Sequence, residues 1–171
     1  MNLLIPHPSG SLEIRPVRAD ELEQVLEVYR QCEDFLALGP VASASMAMVI
    51  SDLELSKNLG STFCGIYTIT GEMIGVLDIV ASGYEGVRQH AYLSLLMIAR
   101  DFRSHGIGQA VFEAVEAEIR KDPLVSVLLA GVQANNPQAI KFWQRMGFEI
   151  ASGLRLMPDQ TTCYDLRKDL A

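Results

Sequence analysis

The stretch "LLMIARDFRSHGIGQAVFEAVEAEIR", Leu95 to Arg120, decides how this chain is read. It passes from an apolar segment through a short polar loop into a helix whose Ile107, Ala110, Val111, Ala114, Val115 and Ile119 form one apolar stripe. The loop therefore delivers the first turn of a helix to the end of a buried strand. The first N–H groups of such a helix have no intrahelical partner and carry the positive end of its dipole. Gly106 and Gly108 remove side chains that would block approach to those donors, an arrangement that holds phosphate. Arg103 adds a guanidinium suited to phosphate oxygens, and Arg100 and His105 lie beside it. The glycines fit neither a dinucleotide G-x-G-x-x-G fingerprint nor a P-loop. Taken alone, they would also serve a plain turn that packs the helix close to the sheet, and both readings stand at this point.

Elements on either side extend the pattern. "LEIRPV" (Leu12–Val17) alternates as a strand, and "RADELEQVLEVYRQC" turns helical with Leu22, Val25, Leu26 and Tyr29 on one face and Asp20 with Glu23 as a capping box. "SMAMVISDLELSKNLG" reads as a second helix ending near Gly60, with Met46, Val49, Ile50 and Leu53 spaced for burial. "STFCGIYTIT" and "EMIGVLDIVA" form a hairpin across Thr70 and Gly71, and "HAYLSLLMIA" is apolar on both faces, as a central strand is. After the glycine turn and its helix come the strand "LVSVLLAGVQA", the helix "NPQAIKFWQRM", and the strands "FEIASGLRLM" and "TTCYDLRKDL". The order βααβββαβαββ, without repeat or linker, reads as one mixed α/β domain over 1–171, with 1–11 as an N-terminal extension.

Composition narrows the function classes. With 171 residues the chain can bury an ordinary core, and a net charge of −7 argues against a general nucleic-acid or anionic-membrane binder. Cys32, Cys64 and Cys163 are far apart and form no C-x-x-C pair; with His7, His90 and His105 they give no metal pattern. The start "MNLLIPHPSGS" has neither the charged region nor the apolar run of a signal peptide, and no segment is long enough to cross a membrane. A cytoplasmic protein in a reducing compartment is expected.

"RSHGIG" fits the pattern Arg/Gln-x-x-Gly-x-Gly/Ala after a strand, and so resembles motif A of the GNAT superfamily of N-acetyltransferases. "NPQAIKFWQRMGF" resembles its motif B through Asn136, Ala139, Phe142, Trp143 and Gly147-Phe148. The resemblance covers most of the chain, Leu12 to Lys168. It implies a single-domain α/β fold: a mixed central sheet of six to seven strands flanked by about four helices and splayed between the fourth and fifth strands. It implies acetyl-CoA as co-substrate, without a metal, lying where those strands part near Ile98 and Ala130. The amides of Arg103, Ser104, His105, Gly106, Ile107, Gly108 and Gln109 would receive its pyrophosphate. Backbone groups of Met97 and Ile98 would pair with the pantetheine arm, and Asn136 and Phe142 would contact its lower part. Asn136 and Gly147 would also stand at these positions in any well-capped helix.

The implied reaction is direct attack of a primary amine on the thioester. It needs a held neutral amine, a donor for the oxyanion and a route for protons. A backbone N–H near Met97 or Ile98 would serve the oxyanion if a bulge turned it inward. Trp143 occupies the position where many family members carry a proton-donating tyrosine, and an indole is not a usable acid. Tyr164, Tyr92 and Tyr84 are candidate substitutes, although a tyrosine in a strand is more often a core or cross-strand packing residue, and Asp78, amid apolar neighbours, is a candidate base or amine anchor that needs a partner when buried. Asp78, Trp143 and Tyr164 are thus the acceptor-site candidates, and the catalytic residues are not assigned. Glu33, Asp34 and Glu85 lie in the loops expected to shape the acceptor site, where they serve equally as an attraction for a cationic amine, small-molecule or peptide, or as an ordinary solvated surface. Homodimer formation stays open, as does a GNAT-like module that binds acyl-CoA without catalysis.

Overall fold

The structure is a computed structural model and describes residues 1–170. Its strands are β1 (Leu3–Ile5), β2 (Leu12–Pro16), β3 (Thr62–Thr68), β4 (Met73–Val80), β5 (His90–Ile98), β6 (Val127–Gln133), β7 (Glu149–Ile150), β8 (Arg155–Leu156) and β9 (Thr162–Asp169). The helices are α1 (Leu22–Gln31), α2 (Glu33–Leu36), α3 (Met46–Leu59), α4 (Ile107–Ile119) and α5 (Pro137–Arg145). All strands join one 9-stranded sheet in the order β1-β2-β3-β4-β5-β6-β9-β7, with β8 also on β9.

The strand count exceeds the six to seven expected, for local reasons. Leu3–Ile5, within the segment read as an extension, pairs with β2 at the sheet edge. "FEIASGLRLM" is broken rather than continuous: β7 and β8 both pair with β9, and between them Ser152 Oγ donates to Asp165 Oδ2 at 2.8 Å. Four helices carry the packing, and α2 adds a single turn to a segment read as loop.

Two helix expectations need correction. The α1 N-terminus is not built by an Asp20–Glu23 box. A 3-10 turn, Ala19–Glu21, precedes the helix, and Glu21 reaches back to accept from Arg18 N at 2.9 Å. In α3 only Val49 of the expected stripe is buried, and Ile50 is 44% exposed, because this helix covers the sheet with one narrow edge. The hairpin turn is as read: Gly71 N donates to Thr68 O at 2.9 Å.

Burial falls into two layers. On one face Val25, Val28 and Tyr29 of α1 and Val49 of α3 pack on Phe63, Tyr67, Val76 and Met97. On the other, Val111, Phe112 and Val115 of α4 and Trp143 of α5 pack on Ile66, Leu77, Leu93, Leu128 and Leu166. The central strands therefore bury both faces and read as nearly continuous apolar runs.

Candidate active site

The parallel strands β5 and β6 pair only from His90↔Val127 to Leu93↔Ala130. Beyond that point each turns to its antiparallel neighbour: Leu95–Ile98 stay on β4, and Gly131–Gln133 stay on β9. The sheet is open between them, which is the splay expected between the fourth and fifth strands of the sequence reading.

A bulge opens it. Asp78 pairs with Leu95 and the next residue, Ile79, pairs with Leu93, which leaves Ser94 as the extra residue on β5. Leu93 faces the α4 layer, Ser94 reaches Asp78, Leu95 packs in the α1 layer, and Leu96 returns to the α4 layer. The distortion thus sits at Ser94, earlier in the strand than the Met97–Ile98 end anticipated for it. Its consequence reaches that end. Ala99 N donates to Ile74 O, so in an antiparallel ladder Met97 and Leu95 turn their amides toward β4 while Leu96 and Ile98 turn theirs into the gap. Met97 therefore spends its backbone groups on the sheet.

The loop from Ser104 to Gln109 stands at the mouth of this gap. Ser104 and Gly106 have positive φ, 66° and 77°, and Gly106 is the residue before α4. Among the described residues, no protein acceptor takes the N–H of Ser104, His105, Gly106, Ile107, Gly108 or Gln109; the first amide of this helix to be bonded is Ala110 N, to Gly106 O. This is a nest of free donors at the positive end of a long helix, the chemistry of a diphosphate site. A Cβ at Gly108 would lie 3.7 Å from the Phe142 ring and 3.8 Å from Ile98 Cγ1, so the two sequence motifs meet beneath the loop. Asn136 is the N-cap of α5, its Oδ1 accepting from Ala139 N at 3.0 Å.

Arg103 does not point into the nest. Its Nε donates to Ile98 O at 2.7 Å and its Nη1 to Asp34 Oδ2 at 2.6 Å. Asp34 stays ionised and its charge is paired, since the guanidinium hydrogen bond holds its carboxyl below the usual range. Glu33 is occupied too, accepting from Ala44 N at 2.9 Å. Of the acids in the acceptor loops, Glu85 is exposed in the turn Tyr84–Gly86.

The acceptor candidates do not form one cluster. Asp78 is 5% exposed and faces the α1–α3 layer, where Ser56 Oγ, Ser61 Oγ and Ser94 Oγ lie 2.7, 2.8 and 2.6 Å from its carboxylate oxygens. Nearby, Tyr29 Oη donates to Asp52 at 2.7 Å, and burial raises the Asp52 carboxyl. Trp143 is in the opposite layer, buried edge-on against Phe112, Phe142 and Phe148. Tyr164 also packs in that layer, opposite Val132 on the open part of β6. Tyr84 and Tyr92 stack on each other at 4.2 Å, and burial lifts Tyr92 to about 12.

Sequence reasoning missed the three serines around Asp78 and the Asp34 partner of Arg103, because each contact joins distant segments. It also missed a cleft of about 360 Å³ between the loop after α2 and the β8–β9 turn, lined by Leu38, Pro40, Asn135, Asp159 and Thr162. Within that lining, Asn135 Nδ2 donates to Leu38 O at 3.0 Å.

A splayed sheet with a free-amide nest at its mouth defines an acetyltransferase-type fold, and comparison with known proteins agrees. Residues 22–148 match the acetyltransferase (GNAT) family, and the chain belongs to it. It is similar to an acetyltransferase of Pectobacterium atrosepticum, 28% identical over 155 residues, covering 87% of this chain and 99% of the relative. An acetyltransferase of Sodalis glossinidius is 26% identical over 156 residues, with 87% and 99% covered. Among solved structures, an acetyltransferase from Thermus thermophilus superposes with a TM-score of 0.75 at 22% identity, over 98% of this chain and 100% of that one. The chain is thus an acetyltransferase of the GNAT family. No helix among the described residues is long and apolar enough to cross a membrane.

Proposed function

We propose that the chain is an acetyl-CoA-dependent N-acetyltransferase acting by direct attack of a primary amine on the thioester. The carrying observation is the row of unpaired N–H groups from Ser104 to Gln109 at the mouth of the parted strands. Donors in that number need water or an anion, and a helix dipole favours the anion. In this reading the amides of Ser104–Gln109 receive the diphosphate, and Asn136 and Phe142 border the pantetheine arm. Of the Met97–Ile98 pair, the Ile98 backbone is the one that faces the gap. Acetyl-CoA brings an activated acyl group on a thiol of pKa about 8.5, a tolerable leaving group without prior protonation.

The chain must orient the amine, stabilise the oxyanion and move a proton. Amides of Leu96 or Ile98 on the open edge of β5 supply the oxyanion donor. Asp78, enclosed by serine hydroxyls, fixes the bulge through Ser94 and does not touch the acceptor. Trp143 builds the core under α4, and of Tyr164, Tyr92 and Tyr84 this reading takes Tyr164, which packs in the same layer level with the open part of β6, as the hydroxyl for the departing sulfur. The cleft between Leu38 and Asp159 admits the amine, from a small molecule or a peptide. The buried free thiols Cys32 and Cys64 suit a reducing, cytoplasmic setting.

Release of free thiol from acetyl-CoA over a panel of amines, with thermal shift measured in parallel, tests this. Amine-dependent release is expected. Tight acetyl-CoA binding with no release for any amine would favour a non-catalytic acyl-CoA-binding module, the reading that the tryptophan at Trp143 keeps open. No thermal shift with acetyl-CoA would sink both.

A further inference from the structure

The nest has a neighbour from the far end of the chain. His7 follows the edge strand β1, and its Nε2 lies 2.9 Å from the carbonyl oxygen of His105. Its other nitrogen, Nδ1, accepts from Ser9 N at 3.2 Å, and its own carbonyl accepts from Gly10 N at 2.9 Å, so the ring is held by a tight turn over 7–10. A ring nitrogen that accepts an N–H carries no proton, so in the neutral imidazole the proton is on Nε2. His7 therefore donates and His105 O accepts.

That bond fixes a peptide plane. No described peptide bond is cis, and in a trans peptide the C=O and the following N–H point in opposite directions. With the His105 carbonyl turned to His7, the Gly106 N–H is turned the other way, and it is one of the donors that no protein group accepts. Gly106 at φ 77° has little steric restraint of its own, and within 4 Å of a Cβ there the sole atom is His7 Nε2, at 3.9 Å. Free to rotate, the 105–106 peptide could turn its carbonyl into the nest and repel an anion. We infer that His7 is a positioning residue of the anion loop: it holds the His105 carbonyl outward so that the Gly106 amide faces a diphosphate. The inference rests on the proposed acetyl-CoA site and assigns a binding function to the N-terminal segment, anchored by Leu3 and Ile5 in the α4 layer of the core.

Two substitutions separate the ring from its N–H. His7→Phe keeps a ring and removes the donor; His7→Gln removes the ring and keeps a side-chain N–H at similar reach. CoA affinity is measured by calorimetry on the full chain, with unliganded thermal midpoints as the control for folding. Loss of one positioning hydrogen bond is expected to raise the CoA dissociation constant about five- to tenfold in H7F. H7Q should stay within about threefold of wild type, and both variants should keep their unliganded midpoints. In turnover with a working amine, H7F should raise KM for acetyl-CoA and leave kcat unchanged. H7F binding CoA as tightly as wild type would overturn the inference, as would equal weakening in H7F and H7Q. Failure of wild type to bind CoA would instead remove the proposed site itself.

Discussion

Arg103 and Asp34 form a two-pronged ion pair, Nη1 to Oδ2 at 2.6 Å and Nη2 to Oδ1 at 3.2 Å, that ties the start of the glycine loop to α2. The same guanidinium donates through Nε to Ile98 O at 2.7 Å, at the rim of the gap. One side chain thus links the loop, the parted strand and the helix before the cleft. The arginine of the loop motif serves here to join these segments, and the backbone amides of Ser104–Gln109 stay without a protein acceptor.

The contacts of Arg103 with Asp34 and with Ile98 O differ in weight, which gives a prediction. The pair with Asp34 is half-exposed, and such pairs contribute under about 1 kcal/mol. A charge-assisted bond to a carbonyl contributes about 1.5–3 kcal/mol. Asp34→Asn should therefore lower stability in urea unfolding by under about 1 kcal/mol, and Arg103→Ala by about 2 kcal/mol. Equal losses in the two variants would show that the Ile98 bond contributes nothing.

Gly106 and Gly108 should respond differently to alanine. Gly106 sits at φ 77°, where a Cβ costs roughly 1–2 kcal/mol, so Gly106→Ala should lower the thermal midpoint. At Gly108 a Cβ meets only ordinary contacts at 3.7 and 3.8 Å, so Gly108→Ala should fold as wild type. Gly108→Val adds bulk between the loop, the Phe142 ring and Ile98, beside the proposed pantetheine arm, and should weaken acetyl-CoA binding at least tenfold in calorimetry while remaining folded.

The Asp78 carboxylate accepts from hydroxyls of α3, the segment after it, and the bulge, while Ser61 Oγ also reaches Ser56 O at 3.0 Å and Ser94 Oγ also reaches the Asp78 carbonyl at 3.1 Å. Asp78→Ala would leave Ser56, Ser61 and Ser94 without that partner in a buried layer, at a cost of about 2–4 kcal/mol by chemical denaturation. Since the bulge depends on the Ser94 contact, Ser94→Ala should reduce kcat by more than it reduces stability. A loss confined to stability would separate the bulge from the chemistry.

Acid should weaken the fold in part through Glu21. This side chain is 2% exposed and accepts from Arg15 at 2.7 and 2.9 Å, Arg18 N at 2.9 Å and Tyr67 Oη at 3.0 Å. The Arg15 hydrogen bonds above all lower its carboxyl to about 2 from an ordinary 4.5. A depressed carboxyl stabilises the fold above its unfolded value and loses that contribution as pH falls toward the folded one. Glu21→Gln should thus cost on the order of 3 kcal/mol at pH 7, and its difference from wild type should shrink between about pH 4.5 and 2. A difference independent of pH would show that Glu21 acts through packing alone.

How far the sequence can be read follows from the range of each interaction. The glycine turn, the apolar stripe of α4, the Asn136 cap and the hairpin at Gly71 are set by residues within one or two turns of each other, and all are legible. The stripe of α3 misleads because periodicity says which residues share a face, but not how much of it a sheet will cover. Asp20 and Glu23 have the spacing of a capping box, yet Arg15 and Tyr67 draw Glu21 into the core instead. The broken strand after Phe148 looks continuous in its apolar pattern, and only its pairing with β9 shows the interruption.

The sequence by itself determined a mixed α/β chain with a glycine turn between a central strand and a helix, because periodicity, glycine placement and capping are local properties. Tertiary structure decided the rest. It placed the bulge at Ser94 by offering Asp78 across the ladder, turned Arg103 to Asp34, sent Trp143 into the core, and set Asp78 and Tyr164 on opposite faces of the sheet. These outcomes depend on which distant segments supply a donor, an acceptor or an apolar wall, and that is settled only when the strands pair and the helices cover them.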